Sequence, residues 1–213
     1  MKSIIGFLIA VIVFSSCGNG DEKTKAVLPK AKVGERVATF AGGCFWGMQE
    51  GFIELKGVIK STSGYAGGHK KDPTYEEVSA ENTGHAEAVQ VIYDPNIISF
   101  EQLLAAFFTM HDPTQLNRQG PDIGTSYRSV AFYSNDEEKK QIEAAILKYN
   151  NSGLHLEKVV TEVKPFEAFY PAEAYHQNYY KLNPNSAYVA NVCGPKVEKL
   201  RKAFPDLLKD EYK

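Results

Sequence analysis

The sequence lacks the patterns that define several common functional classes. It contains only 3 cysteines, none of which belongs to a Cys-x-x-Cys pair, and its 5 histidines include no closely spaced pair. Zinc sites usually show such spacings, so we expect no metal. There is also no glycine-rich phosphate loop and no dinucleotide-binding fingerprint. We therefore expect no cofactor.

An excess of charge of one sign is also missing. The formal net charge is −2 at pH 7, and the basic residues form no stripe along the chain. Without a basic footprint we expect no nucleic acid among the partners. No repeat or low-complexity tract occurs, and 213 residues with 43% hydrophobic content suit one globular domain. We expect this domain to be a monomer.

An apolar run stands at the N-terminus, but it is too short to span a bilayer. It extends from Ile4 to Phe14, which is typical of the core of a signal peptide. Two serines and Cys17 follow it, as in a bacterial lipobox whose cysteine is acylated, although Phe14 stands where leucine is usual. The alternative is an ordinary signal peptide with a coincidental cysteine. The next residues, to about position 32, are polar, charged and contain glycine.

These features predict three segments. We expect a signal peptide over residues 1–16, a flexible tether over 17–32 that is lipid-anchored at Cys17, and a folded domain over 33–213. The protein is then an exported lipoprotein of the cell envelope, held at a membrane by its N-terminal anchor.

Hydrophobic periodicity predicts alternating strands and helices in the folded domain. Capping boxes, Ser99 with Gln102 and Ser134 with Glu137, are expected to begin two of the helices. The order of elements predicts an α+β fold, a two-layer sandwich with helices packed on a mixed β-sheet. The predicted strands are 35–40, 85–93, 127–133 and 157–163, and the predicted helices are 45–57, 100–108, 134–150, 172–182 and 195–204.

Cys44 is the residue that indicates chemistry most directly. It follows Gly42 and Gly43 at the junction between a predicted strand and a predicted helix. Unpaired N–H groups and the helix dipole favour a thiolate at such a position, with a pKa lowered to ~3.5–7.5, so Cys44 is predicted to be a nucleophile. The alternative is a small buried cysteine that packs beneath the helix.

The segment around Cys44 resembles a known signature. Gly-Cys-Phe-Trp-Gly at 43–47 is similar to the signature of the peptide methionine sulfoxide reductase A family, and the resemblance extends from about residue 36 to 204. It implies a ferredoxin-like α/β roll. It also implies reduction of the S epimer of methionine sulfoxide, free and in oxidised proteins, with a thioredoxin-like thiol donor. Further matching segments are 64–68, 73–75, 84–89, 111–113, 119–122 and 124–129.

Glu87 fits the acid that such a reaction requires. It shares a face of its predicted strand with Val89 and Val91, so we expect burial to raise its pKa and to keep its proton near neutrality. The alternative is a glutamate at a strand end that reaches solvent. The resemblance implies that Tyr75 and Tyr127 are phenol donors to the sulfoxide oxygen, whereas either residue alone is typical of a core tyrosine.

The resemblance also implies a binding pocket. Phe45 and Trp46 wall an apolar space for the sulfoxide methyl group, although Phe45 also fits the core stripe of its helix. Asp122 helps to orient the backbone amide of the substrate, although aspartate after proline is common in turns. Tyr65, by contrast, is predicted to support a turn.

The resolving cysteine departs from the family pattern. Many relatives place it directly after a tyrosine near the C-terminus, but here Tyr188 is followed by Val189 and the next cysteine is Cys193, beside Gly194. Two interpretations stay open. Cys193 resolves the sulfenic acid on Cys44 from a mobile loop, or it packs where relatives carry an aliphatic side chain.

Two other functional classes are compatible with parts of the sequence. A cysteine hydrolase or acyltransferase needs a histidine near Cys44, and His85 and His176 are the best placed. A non-catalytic lipoprotein binding module needs only an inert Cys44.

Overall fold

The computed structural model describes residues 24–153 and 156–213. The predicted signal peptide and Cys17 lie outside these residues. In the part that is described, no helix has both the length and the apolar character needed to cross a membrane. The strands are β1 (Arg36–Gly42), β2 (Val58–Ala66), β3 (Ala86–Tyr93), β4 (Arg118–Gln119), β5 (Asp122–Ile123), β6 (Ser129–Tyr133), β7 (Glu162–Pro165) and β8 (Phe169–Pro171). The helices are α1 (Phe45–Ile53), α2 (Tyr75–Ser79), α3 (Phe100–Met110), α4 (Asp136–Asn150), α5 (Tyr179–Leu182) and α6 (Gly194–Ala203).

The main sheet is mixed, with the strand order β7-β6-β1-β3-β2-β8. Neighbouring strands are antiparallel except for β6 and β7, which are parallel. Strands β4 and β5 form a separate short hairpin. This arrangement of helices and a mixed sheet confirms the predicted α+β class.

The core lies between one face of the sheet and helices α1 and α3. The ring of Phe40 in β1 stacks on Phe52 of α1 at 5.3 Å and on Phe107 of α3 at 5.1 Å, measured between ring centroids. The central strand β3 is buried at every position, so that Val89 and Val91 face this core while Ala86 and Ala88 face a smaller apolar cluster. Removing this apolar surface from water stabilises the layered fold by roughly 25 cal/mol per Å².

The starts of α3 and α4 test the two predicted capping boxes. Ser99 accepts from the Gln102 N–H at 3.1 Å, and the Gln102 side chain accepts from the Ser99 N–H at 2.9 Å, which confirms the first box. The second is wrong by one residue, because Asn135 is the N-cap and accepts from the Glu138 N–H at 3.0 Å. The amide oxygen of asparagine caps a helix as well as a serine hydroxyl does.

Two other predicted elements differ from the structure. Residues 172–182 are not one helix, because a 3₁₀ turn (Ala174–His176) and the left-handed Asn178, with φ 56°, precede the short α5. The strand predicted over 157–163 occurs later, as β7. Strand β2 has polar residues at its centre and α2 has only five residues, so neither gives a clear periodic signal.

The sequence predicts that the folded domain begins at Val33, but residues before Val33 already pack on the domain. Ala26 N–H donates to the Ala172 carbonyl at 3.1 Å, and Ala174 N–H donates to the Thr24 carbonyl at 2.8 Å. Of the predicted tether over 17–32, residues 24–26 therefore pack on the domain as an added edge. Residues 17–23 lie outside the described part.

Candidate active site

A glycine turn sets the position of Cys44. Strand β1 ends at Gly42, and Gly43 turns the chain with φ 80°, so that Cys44 becomes the N-cap of α1. A Cβ at Gly43 would lie 2.5 Å from the Gln119 side chain, and its positive φ also disfavours other residues. The predicted strand-to-helix junction is therefore present, with Cys44 at its apex.

A cavity of about 300 Å³ opens at this junction. It gathers every side chain that the sequence predicted for the pocket, from β3, β5, α1, α2 and a 3₁₀ turn. It also includes three residues that the sequence analysis did not assign to it. The lining residues are Cys44, Phe45, Trp46, Tyr75, Glu87, Asp122, Tyr127, Tyr179, Ser186 and Tyr188.

Glu87 lies on β3 at the floor of the cavity. Its side chain is buried, and its Oε2 accepts a hydrogen bond from the backbone N–H of Phe45 at 3.0 Å. Burial raises the pKa of the Glu87 carboxyl well above its ordinary value, and the neighbouring Cys44 raises it further, against the opposing effect of the Phe45 N–H. A buried, protonated carboxyl is thus available beside the thiol, and the alternative of a solvent-exposed glutamate is wrong.

The resting thiol differs from the expected low-pKa thiolate. Burial raises the pKa of Cys44 well above its ordinary value, and a hydrogen bond with the Cys193 thiol adds to this effect. The first N–H of α1 does not offset it, because Phe45 donates to Glu87 and the Cys44 side chain forms no capping hydrogen bond. Desolvation therefore outweighs the helix terminus, and Cys44 rests as a neutral thiol.

Three phenols face Cys44 and Glu87. The Tyr188 hydroxyl donates to Asp122 Oδ2 at 2.6 Å, and its proximity to Cys44 lowers the pKa of that thiol slightly against the larger effect of burial. Burial raises the pKa of Tyr75 and of Tyr127, and the nearby Glu87 carboxyl, once it is ionised, adds to the shift in both. These phenols therefore keep their protons and remain hydrogen-bond donors throughout the neutral pH range.

Aromatic rings form one wall of the cavity. Trp46 stacks on Tyr179 with 3.7 Å between ring centroids and meets Tyr188 edge-on at 5.6 Å. Its indole Nε1–H donates to His176 Nδ1 at 3.2 Å, which fixes the plane of the ring. Phe45 lines the cavity and also belongs to the core. It is therefore both a pocket residue and part of the core stripe of its helix.

Cys193 lies in a π-helical turn (Val189–Cys193) that leads directly into α6, not in a mobile loop. It is buried against Gly47 of α1, where a Cβ would lie 3.3 Å from the Cys193 Cα and Cβ atoms. The interaction with Cys44 lowers the pKa of the Cys193 thiol, against the opposing effect of burial. A π turn holds more than four residues, so the four-residue shift from position 189 returns Cys193 to the same side of the helix.

The residues that the sequence analysis missed lie in the C-terminal third of the chain. Tyr179 begins α5, Ser186 lies in the following loop, and Tyr188 precedes the π turn. No periodic pattern marks them. The one available signal was the closely spaced tyrosines of this segment.

Tyr65 does not support a turn, because it lies within β2 opposite Glu87 of β3. It is completely buried, and its hydroxyl donates to Glu173 Oε2 at 2.9 Å. The other oxygen of Glu173 accepts from the Tyr75 N–H at 3.1 Å and pairs with Lys25 Nζ at 3.3 Å. Tyr65 is therefore part of a buried network behind Tyr75.

The histidines that a hydrolase mechanism would use are engaged elsewhere. His85 Nε2 lies 2.7 Å from the Lys70 carbonyl, and its Nδ1 accepts from the Gly68 N–H at 3.1 Å. His176 accepts from Trp46, and burial lowers its pKa to about 4. Neither residue lines the cavity that contains Cys44. Among the described residues, the cavity that contains Cys44 is therefore lined by no histidine that could pair with it for acyl transfer.

Comparison with known proteins identifies this arrangement. The sequence profile described as "Peptide methionine sulfoxide reductase" matches residues 36–208, which include the whole cavity. The chain belongs to the peptide methionine sulfoxide reductase family. It is a protein-repair oxidoreductase that reduces methionine sulfoxide, with the activity of a peptide-methionine (S)-S-oxide reductase.

Individual relatives agree with this assignment. Peptide methionine sulfoxide reductase MsrA of Natronomonas pharaonis is 52% identical over 169 residues, covering 79% of this chain and 95% of the relative. Mxr1 of Saccharomyces cerevisiae in reduced form is a similar solved structure, with a TM-score of 0.69 and 35% identity over 74% of this chain and 91% of that one. The same yeast protein in complex with Trx2 has a TM-score of 0.51 and 25% identity, over 71% of this chain and 89% of that one.

Proposed function

We propose that this chain reduces the S epimer of methionine sulfoxide by transferring the sulfoxide oxygen to Cys44. The observation that carries the proposal is the single cavity in which Cys44, the buried Glu87 and the phenols of Tyr75 and Tyr127 meet. A nucleophile, a proton donor and two hydrogen-bond donors are the groups that reduction of a sulfoxide requires.

In the first step, the Cys44 sulfur donates an electron pair to the sulfoxide sulfur. As the sulfur–oxygen bond weakens, negative charge grows on the oxygen, where Tyr75 and Tyr127 donate hydrogen bonds and Glu87 supplies a proton. The protonated oxygen then moves to the Cys44 sulfur as the bond between the two sulfurs breaks, and the proton lost by the Cys44 thiol restores the Glu87 carboxyl. The net reaction converts one thiol and one sulfoxide into a cysteine sulfenic acid and a thioether, which leaves as methionine. The raised pKa of the Glu87 carboxyl suits this role, because it keeps the proton available until the oxygen needs it.

Two sets of contacts support a pocket for the substrate. The stacked rings of Trp46 and Tyr179 offer a rigid apolar surface for the methyl group, and Phe45 closes the adjacent side. Asp122 already accepts from the Tyr188 hydroxyl, so its other carboxylate oxygen can receive the backbone N–H of a methionine sulfoxide residue. These contacts favour a substrate with a small apolar group on sulfur.

Recycling is assigned to Cys193. Cys193 packs against Gly47 of α1 and interacts with Cys44, so its thiol can lose a proton and attack the sulfenic acid. A disulfide forms, and the hydroxide that leaves combines with that proton as water. A thioredoxin-like dithiol then reduces the Cys44–Cys193 disulfide by thiol–disulfide exchange. Both cysteines return to thiols, and the dithiol is oxidised to a disulfide. The yeast relative in complex with Trx2 supports this class of reductant.

The location of the enzyme is also a proposal, and it rests on the sequence alone. The apolar run over residues 4–14, the serines before Cys17 and the polar residues that follow favour an envelope lipoprotein acylated at Cys17. Palmitate labelling of the wild-type protein, with loss of the label in Cys17→Ala, is the expected result. Recovery of the wild type without lipid would contradict it.

The activity is tested by offering the two epimers separately, with a dithiol reductant. We expect turnover of the S epimer, free and in a peptide, and no turnover in Cys44→Ser. Turnover restricted to the R epimer, or full activity in Cys44→Ser, would overturn the proposal.

A further inference from the structure

Lys196 is a buried cation next to the two thiols. It lies in the first turn of α6, three residues after Cys193, and its Nζ lies against Gly43, the residue before Cys44. A Cβ at Gly43 would be 3.3 Å from that nitrogen. The ammonium is inaccessible to solvent and has no hydrogen-bond partner among the described residues.

An unpaired ammonium in this position is costly unless an anion forms beside it. The titratable groups near Lys196 or near the two thiols come from several elements. None of these described groups accepts a hydrogen bond from the Lys196 ammonium. Glu87 keeps its proton, Asp122 is engaged by Tyr188, and His111 is neutral because burial lowers its pKa to about 4. The Asp112 carboxylate near His111 accepts hydrogen bonds from Thr114 and Gln115. The titratable and charged groups concerned are Cys44, Tyr75, Glu87, His111, Asp112, Asp122, Tyr127, Tyr188, Cys193 and Lys199.

We propose that the Lys196 ammonium is the counter-charge for the one negative charge that the Cys44–Cys193 thiol pair acquires when it loses a proton. The charges of the two thiols repel each other, so the pair loses one proton readily and the second only with difficulty. Lys196 is thus an activating residue that acts through charge.

The same charge serves both halves of the reaction. In the first half it favours the Cys44 thiolate, which otherwise forms with difficulty because the sulfur is buried. In the second half, Cys44 is a sulfenic acid and the charge favours the Cys193 thiolate, which attacks the Cys44 sulfur. The hydroxide that leaves takes up the proton that Cys193 lost and departs as water. The electrostatic effect of Lys196 lowers the pKa of both thiols, in agreement with this role.

The inference rests on the proposed function, but its first test requires no turnover. The reduced protein is treated with iodoacetamide over a range of pH, and the modification of Cys44 and Cys193 is followed separately by peptide mass spectrometry. Lys196→Met should move the midpoint of alkylation upward by about one pH unit or more, which is roughly a tenfold lower rate near neutrality. Lys196→Arg should restore much of the wild-type profile.

The matched control is Lys202→Met. Lys202 lies on the same helix, pairs with Glu198 and has a side chain that is 75% exposed, so its removal should leave the alkylation profile unchanged. If Lys196→Met does not fold, Lys196→Gln takes its place, with folding checked by circular dichroism. An unchanged midpoint in a folded Lys196 variant overturns the inference.

A second readout separates charge from packing. In a single turnover of methionine sulfoxide, the rate of Lys196→Met should approach that of the wild type as the pH rises. At high pH the thiol pair loses its proton to hydroxide even without the charge of Lys196. A loss that is equal at every pH would overturn the electrostatic role. Full activity of Cys44→Ser would instead refute the proposed function and leave the alkylation result standing.

Discussion

The backbone N–H of Phe45 donates to Glu87 Oε2 at 3.0 Å, and this bond joins the first residue of helix α1 to the central strand β3. Because Cys44 directly precedes Phe45, the bond sets the thiol and the carboxyl side by side. It also uses the helix N–H that would otherwise stabilise a thiolate. The site therefore combines a protonated acid with a thiol that becomes charged only when a proton leaves the buried pair.

Glu87→Gln tests the acid. The glutamine carbonyl can still accept from the Phe45 N–H, so the position of α1 should be kept while the proton donor is lost. The single-turnover rate with the S epimer should fall by roughly 10²–10⁴-fold, the usual contribution of general acid catalysis. A near-normal rate in the folded variant would remove Glu87 from this role.

The pH dependence of stability offers a second test of Glu87. Its pKa is raised in the folded state, so the native carboxyl keeps its proton in a pH range where the unfolded carboxyl, with a pKa of ~4.3, has lost it. This contribution to stability is present below the unfolded pKa and is lost as the pH rises through the folded pKa. Urea unfolding should therefore show Glu87→Gln gaining stability relative to the wild type as the pH rises above about 4, until the folded carboxyl also loses its proton. A constant difference would show that the carboxyl does not titrate as inferred.

Trp46→Ala tests the aromatic wall. It removes the ring that stacks on Tyr179 and donates to His176, so kcat/KM for the S epimer should fall by one to two orders of magnitude, roughly 1.4–2.8 kcal/mol. Trp46→Phe keeps an aromatic face without the N–H donor and should be impaired less. Equal losses in the two variants would mean that the wall does not position the methyl group.

Tyr65→Phe tests the network behind Tyr75. It removes a buried hydrogen bond to Glu173, which should cost about 1.5–3 kcal/mol of unfolding free energy because the acceptor is charged. A double-mutant cycle with Glu173→Gln isolates the contribution of the pair. A coupling near zero would show that the network contributes no stability.

Much of the site was predictable because local sequence determines it. Glycines before Cys44 specify the turn, and alternation in β3 places Glu87 on the same face as Val89 and Val91. The pKa of Cys44 was not predictable, because it depends on burial by distant segments and on the contact with Cys193. The interruption at Asn178 and the π turn that ends at Cys193 also depend on tertiary packing, and no periodic pattern reveals them.

Cys193→Ser separates the first half of the reaction from the second. The variant should release methionine in a first turnover, since Cys44 and Glu87 remain, but turnover driven by a thioredoxin-like dithiol should be slowed strongly. The measurement is the burst of methionine followed by the steady-state rate. A steady-state rate equal to that of the wild type would return Cys193 to a role in core packing.

Transfer of the sulfoxide oxygen to Cys44 is tested most directly by the intact mass of the protein after one equivalent of the S epimer without reductant. The wild type should release one equivalent of methionine and lose two hydrogens, as a Cys44–Cys193 disulfide forms. Methionine release from the wild type with neither a disulfide nor an added oxygen on Cys44 would contradict the mechanism.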